Sequence, residues 1–502
     1  MALLSHDHAT PRDTGRSRSL VPGLWALSLA CALSCGDQAS QVPERELNVL
    51  LVTLDTTRAD HLGCYGHAAG ATPHLDALAE ESIRFDRALA TAGLTPMSHA
   101  SMLTGRNPYA HGLRVFYGDL AHRLPNEVPS LPEILSDLGW RTAAFVSAYP
   151  VSQVFGLDRG YQTFSSAVDN SLGSIDPSQK QRPTKFWVDA RQNKSQRRSD
   201  ATCDAAMTWL EEHAEDGPWH LWVHLFDVHD FSLVPPVAYA RAREVVYHPE
   251  VPPNNLAARE ALYDFELEFM DGQFGRLIEW LKRSGQYDNT IVLVVGDHGQ
   301  GLMDGYERHG WPSHRLLYDW SLRVPFLAHI PANEGARFAG AEQGLVVHDL
   351  VRTTDILPTV LELLDLALPA GVEGRSLLPI LRSEMDEPRV AYADALNLQE
   401  RYVAIEALPE KQRDDLYAVV DLRWKLIHHK SHPEHSELFD LQSDPLELVN
   451  VIAEFPEEAR RLYRFFEEHD AFRKGPLDSG NSPPNAAALG DLGYSGADSD
   501  AD

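Results

Sequence analysis

Hydrophobic positions in this chain follow two rhythms. Residues 47–54 (LNVLLVTL) form an almost unbroken apolar run, the pattern of a strand covered on both faces as in a parallel sheet. Runs of the same kind recur at 142–147 (TAAFVS), 220–226 (HLWVHLF) and 290–295 (TIVLVV). Between them lie stretches that read as helices, at 72–82, 99–103, 130–138, 201–213 and 258–283. Strands alternating with helices predict an α/β sandwich around a large, mainly parallel central sheet. A polar stretch, roughly 165–198, breaks the alternation and is expected to form an insertion near any site. From about residue 385 the character changes. Residues 390–396, 418–428 and 437–441 read as short strands, and 454–470 as a charged amphipathic helix. The expected organisation is a main domain at 45–384 and a small α+β domain at 385–474. An acidic tail at 475–502, rich in Gly, Pro, Ser, Asn and Asp, is expected to be disordered.

The first residues stand apart. Arg12, Arg16 and Arg18 precede the apolar run 21–33 (VPGLWALSLACAL), which small residues follow, so 1–35 read as an export signal. The run is short for a membrane span, which needs about 20 residues. Its ending, Ala32-Leu33-Ser34-Cys35, resembles a bacterial lipobox. On that reading Cys35 is the acylated first residue of a periplasmic or cell-envelope protein, and the lipid is its one membrane contact. An ordinary cleaved signal is the alternative.

Charge and cysteine content narrow the function classes. The formal net charge is −29, from 73 acidic and 44 basic residues. Such a surface repels nucleic acid and anionic headgroups, so neither is an expected partner. An anionic substrate would need a locally positive site, which a bound cation would supply. Of the four cysteines, two lie in the export segment, and Cys64 and Cys203 could form one disulfide in an oxidising compartment. There is no Cys-x-x-Cys, which excludes a thiolate zinc site.

Chemistry gathers where the strands end, the edge at which parallel sheets bind ligands. Asp55 follows the first run, Asp227 and His229 follow 220–226, and Asp297 and His298 follow 290–295 between Gly296 and Gly299. A lone Asp in such a place is more often a turn former or helix cap. Two carboxylates and an imidazole together suit one divalent metal ion, Ca²⁺, Mg²⁺, Mn²⁺ or Zn²⁺. Residues 93–105 (GLTPMSHASMLTG) set Thr95 just ahead of Pro96 and a short predicted helix. Helix N-termini suit anionic esters, and a hydroxyl ligated to a cation becomes a usable nucleophile. The plainer role for Thr95 is a helix cap.

These landmarks, in this order, resemble the sulfatase family of the alkaline-phosphatase superfamily over almost the whole exported length. The first metal segment of the family looks like 52–66 (VTLDTTRADHLGCYG), its nucleophile segment like 95–105, and its second metal segment like 296–301 (GDHGQG). Residues 226–229, 309–318, 324–326, 355–359, 374–378 and 438–447 read like further landmarks. The resemblance implies a metal held by Asp55, Thr95, Asp297 and His298, with Thr95 attacking the ester and His229 or His314 protonating the leaving alcohol. It implies substrate-binding roles for His99, His309 and Arg58, although an ion pair with Asp60 explains Arg58 equally well. The expected substrate is a sulfated or phosphorylated glycan or small molecule. Two departures matter. Formylglycine sulfatases carry Cys or Ser in Cys/Ser-x-Pro-x-Arg, and here the motif aligns as Thr95-Pro96-Met97-Ser98-His99. Thr56 stands where many members have a second Asp. A formylglycine is therefore not expected, and the resemblance implies a hydrolase of sulfate or phosphate esters that acts through the threonine itself. The alternatives are transfer of a phosphoryl or phospho-alcohol group to a cell-envelope glycan or lipid, and an inactive anion-binding homologue.

Overall fold

A computed structural model of the chain describes residues 47–68, 72–115, 123–166, 195–229, 233, 235, 256–310, 314, 316–331, 344–384, 387–396 and 414–473. All lie in one compact unit, Val42–Asp502. The expected export signal with Cys35, most of the predicted insertion and the acidic tail fall outside the described residues. Among the described residues no helix is long and apolar enough to cross a membrane.

The first apolar run becomes β1, Asn48–Leu54, buried at every position. It lies between two parallel partners, β5 (Trp219–Leu225) and β6 (Thr290–Gly296). Beyond β5 the sheet continues in parallel through β3 (Arg141–Val146) to β4 (Thr163–Ser166), which takes in the start of the stretch expected as an insertion. Beyond β6 it turns mixed. There β8 (Phe326–His329) runs antiparallel to both β6 and β2 (Ile83–Leu89), and β7 (Arg323–Val324) and β9 (Val346–Arg352) also pair with β2. The sheet thus has nine strands, parallel at its centre. The sequence reading did not assign β2, because IRFDRAL alternates charged with apolar positions and has no continuous run.

Side chains of β1 point alternately to two cores, as a pleated strand requires. Val49 and Leu51 join one core with Met97, Leu131 and Ile356, while Leu50, Val52 and Leu54 join the other with Leu75, Cys203 and Phe274. One face is therefore covered by helices Thr95–Thr104, Leu131–Asp137 and Ile356–Leu363, and the other by Pro73–Glu80, Ser199–His213 and Leu256–Ser284. The register sets the site. Leu54 lies opposite Gly296 on one side and Leu225 on the other, so Asp55, Asp297 and residues 226–229 leave the sheet at one level.

A second, four-stranded antiparallel sheet comprises β10 (Ala391–Leu396), β11 (Asp415–Val420), β12 (Trp424–His429) and β13 (Glu437–Asp440). The single strand expected at 418–428 is in fact a hairpin. The Asp421 carboxylate accepts the backbone N–H groups of Arg423 and Trp424, and that side-chain turn folds β12 back on β11. Helix Pro456–Glu468 packs on this sheet through Ala459, Leu462 and Phe466. A bridge from Asp394 to Ala92 ties the small sheet to the segment that leads to Thr95. Cys64 and Cys203 are both free thiols.

Candidate active site

Asp55, Asp297 and His298 converge beyond the ends of β1 and β6. One ligand atom from each lies within 4.8 Å of the others, and all three residues are fully buried. Asp55 is wired on both oxygens: Thr56 Oγ1 donates to Oδ1 at 2.6 Å, and His224 Nε2 donates to Oδ2 at 2.9 Å. The His224 tautomer follows from its other nitrogen, since Nδ1 accepts the backbone N–H of Ser147 at 3.2 Å and leaves the proton on Nε2. Burial holds His224 neutral, with its pKa down to about 3. Asp297 Oδ1 accepts N–H groups from Thr56 and His298, whereas its Oδ2 is buried and makes no hydrogen bond to a described residue.

Electrostatics point the same way. Burial raises Asp55 to about 6, opposed by His298 and the Thr56 hydroxyl. Burial also raises Asp297, and the neighbouring charge of Asp55 raises it further. Two dry carboxylates facing each other, one with an unpaired oxygen, are a site short of positive charge. The donor set fits a divalent cation, with Asp55, Asp297 and His298 as the groups that could hold it. His298 Nδ1 donates to the Gly299 carbonyl, so Nε2 carries the lone pair, which faces the Thr95 hydroxyl.

Thr56 holds the turn after β1 in an unusual conformation, with φ at +53°. A β-branched residue there is strained, typically by about 1–3 kcal/mol, and its contacts show what holds it. Its N–H binds Asp297, its hydroxyl binds Asp55, and its carbonyl accepts the Tyr263 hydroxyl. Thr56, read as a departure from the family pattern, therefore buttresses both carboxylates that are present.

Thr95 is the first residue of helix Thr95–Thr104, one step further in than the sequence suggested, with Leu94 as the extended N-cap. Its hydroxyl lies 3.2 Å from His298 Nε2. Ser98, one turn on, donates to the Asp297 carbonyl and fixes this helix to the loop that carries Asp297 and His298. His99 donates from Nδ1 to the Thr95 carbonyl and sits 3.7 Å from Asp297 Oδ2, so it lies between Thr95 and the carboxylate pair. Burial drives its pKa down to about 3, which makes it a neutral buttress here. His314 donates from Nδ1 to the Gly93 carbonyl, and its ring centre is 4.9 Å from His298 and 5.3 Å from His229. His229 stacks on Phe226. Thr95, His229, His298 and His314 thus share one wall.

Two of the proposed substrate contacts are engaged elsewhere. Arg58 is buried and grips Asp60 and Asp304, with further bonds to the Gln300 and Gly301 carbonyls. Its geometry is that of a brace for the loop after Asp297. His309 donates from Nε2 to the Glu447 carbonyl, accepts Trp320 Nε1–H on Nδ1, and stacks on Tyr318. One nitrogen thus holds the C-terminal segment and the other the Trp320 ring. The Asp227 carboxylate accepts the N–H and hydroxyl of Ser199 at the start of helix Ser199–His213, so it acts as a cap. Sequence reasoning missed His224 and Tyr263. The first is hidden inside an apolar strand, and its one signal is the register that sets it opposite Thr53, two residues before Asp55.

Comparisons with known proteins agree with this layout. The sulfatase family profile matches residues 47–366, and the profile for the C-terminal part of N-sulphoglucosamine sulphohydrolase matches residues 307–467. An N-acetylglucosamine-6-O-sulfatase of Bacteroides thetaiotaomicron is 23% identical, with 93% of each chain covered. The phosphonate monoester hydrolase of Agrobacterium radiobacter superposes with a TM-score of 0.64 at 21% identity, covering 85% of this chain and 96% of that one. A structure in complex with its substrate D-glucosamine-2-N,6-O-disulfate gives a TM-score of 0.64 at 19% identity, covering 88% and 100%. The chain belongs to the sulfatase family and is, by class, a sulfuric or phosphoric ester hydrolase.

Proposed function

We propose that this protein is a metal-dependent hydrolase of sulfate or phosphate esters in which Thr95 is the nucleophile. The observation that carries the reading is the position of the Thr95 hydroxyl, 3.2 Å from a His298 nitrogen that shares a buried cluster with Asp55 and Asp297. A divalent cation held by Asp55, Asp297, His298 and Thr95 would supply positive charge for the hydroxyl and for the anionic ester. Thr95 Oγ1 attacks sulfur or phosphorus in line and loses its proton to solvent, and the bond to the leaving oxygen breaks. His229 or His314 gives that oxygen a proton. Water then takes the group from Thr95 and restores the hydroxyl.

A threonyl phosphate hydrolyses by ordinary attack of water on phosphorus. A threonyl sulfate lacks the hemiacetal route by which a formylglycine expels sulfate, so the site chemistry favours phosphorus. The names of the relatives favour a sulfated sugar. Transfer to an acceptor alcohol would differ only in what releases the group. Export through the segment before residue 36 belongs to the same reading, and N-terminal analysis of the mature protein tests it. The activity test is a panel of an aryl sulfate, a phosphate monoester and a phosphodiester, assayed with and without chelator on wild type and Thr95→Ala. Chelation and the substitution should each abolish turnover. Full activity in Thr95→Ala would remove Thr95 from the mechanism.

A further inference from the structure

A second group of ligand-type side chains stands among the described residues, apart from Asp55, Asp297 and His298. His61, His67 and Asp264 each offer one ligand atom, all within 4.8 Å of one another. His61 Nδ1 is 2.8 Å from Asp264 Oδ1, and His67 Nε2 is 4.0 Å from Asp264 Oδ2. Ligand atoms around a tetrahedral zinc, at about 2.0–2.2 Å from the metal, stand roughly 3.4 Å apart, and these two spacings straddle that figure. His67 Nε2 is shielded from solvent and has no hydrogen-bond partner among the described residues, although a buried imidazole nitrogen normally finds one.

The backbone builds the arrangement. After Leu62 the chain makes a tight turn closed by Gly66 N–H to the Gly63 carbonyl and His67 N–H to the Leu62 carbonyl. Gly66 sits at φ +101°, a conformation that favours glycine. The turn stacks the His67 ring on His61 with centres 4.8 Å apart, and His61 packs edge-on against Tyr263. Asp264 comes from the long helix Leu256–Ser284, and Glu260 lies one turn earlier on the same face.

We infer that His61, His67 and Asp264 form a second metal site, selective for a borderline divalent cation of the zinc type, which clamps the 61–67 turn onto the long helix. Two imidazoles and one carboxylate suit zinc better than calcium or magnesium, which prefer all-oxygen sites. The partial exposure of His67 and Asp264 leaves room for water to complete the shell. Its structural reach extends to the first cluster, because Tyr263, beside Asp264, binds the Thr56 carbonyl and the Arg58 N–H.

The test uses the full chain, stripped with chelator and titrated with Zn²⁺, with bound metal counted per chain and thermal midpoints recorded. His67→Gln and Asp264→Asn should each lose one equivalent of zinc relative to wild type, together with the zinc-induced rise in midpoint that this site contributes. Asp297→Asn, which alters the other cluster, should keep that equivalent. Substituting Co²⁺ should give a visible absorption band that His67→Gln removes and Asp297→Asn retains. His67→Gln lies at a partly exposed position, and a folded variant that binds as much zinc as wild type overturns the proposal. So does a wild-type chain that takes up no zinc beyond the equivalent lost in Asp297→Asn, in which case His61 and Asp264 are only a hydrogen-bonded pair.

Discussion

At the scale of single residues, the site rests on few atoms with strictly assigned protons. His224 can donate to Asp55 only because Ser147 occupies its other nitrogen. Groups that orient metal-binding carboxylates typically change metal affinity by about 10–100-fold when removed. His224→Phe, which keeps an aromatic ring in the strand, should weaken divalent-cation binding by a factor in that range, measured by calorimetric titration of the folded variant. Unchanged affinity would mean that the bond to Asp55 Oδ2 is incidental. Thr56 belongs to the same scale. Its strained backbone is fixed by three hydrogen bonds, two of them to the carboxylates it separates.

At the scale of elements, the strand ends meet the long helix through one hydroxyl. Tyr263 Oη accepts the Arg58 N–H at 2.9 Å and donates to the Thr56 carbonyl at 3.0 Å. Tyr263→Phe leaves both groups buried and unpaired there, so unfolding free energy should fall by about 1–3 kcal/mol in a denaturant titration. A change below about 0.5 kcal/mol would show that the turn after β1 is held by other contacts. How much was legible in the sequence follows from what each element exposes to pattern. β1, β5 and β6 are buried on both faces and read as apolar runs, so Asp55 and Asp297 at their ends were visible. β2 alternates charge with apolar residues, and β7 to β9 are short or mixed, so the mixed part of the sheet was not. His224 shares its strand with Trp219 and Trp222 and looks like any core residue. Arg58 and His309 were visible as candidates, but only their partners, Asp304 and Glu447, reveal that they brace loops.

At the scale of the molecule, a net charge of −29 surrounds a site that must receive an anion, so positive charge has to be concentrated where the strands end. Dry carboxylates also set a pH signature. Burial raises Asp227 to about 7, from an ordinary value of 3.8. The unfolded chain ionises this group from about pH 4 while the folded chain does not, so folding loses stability as pH rises from there to about 7. Removing the charge removes the loss. Asp227→Asn should match wild type in unfolding free energy near pH 4 and exceed it progressively up to pH 7, by at most about 4 kcal/mol, in denaturant titrations across that range. A constant difference across that range would show that Asp227 is ionised throughout in its cap.

The central claim is that the chain works through an unmodified threonine. Mass analysis of the peptide carrying Thr95, after acid quench of the metal-replete enzyme turning over an aryl sulfate or a phosphate monoester, tests it most directly. The account predicts an unmodified Thr95 before substrate and a gain of one sulfuryl or phosphoryl group on Thr95 after it, absent in Thr95→Ala. Sustained turnover with the group on another residue, or in a Thr95→Ala variant, would contradict it.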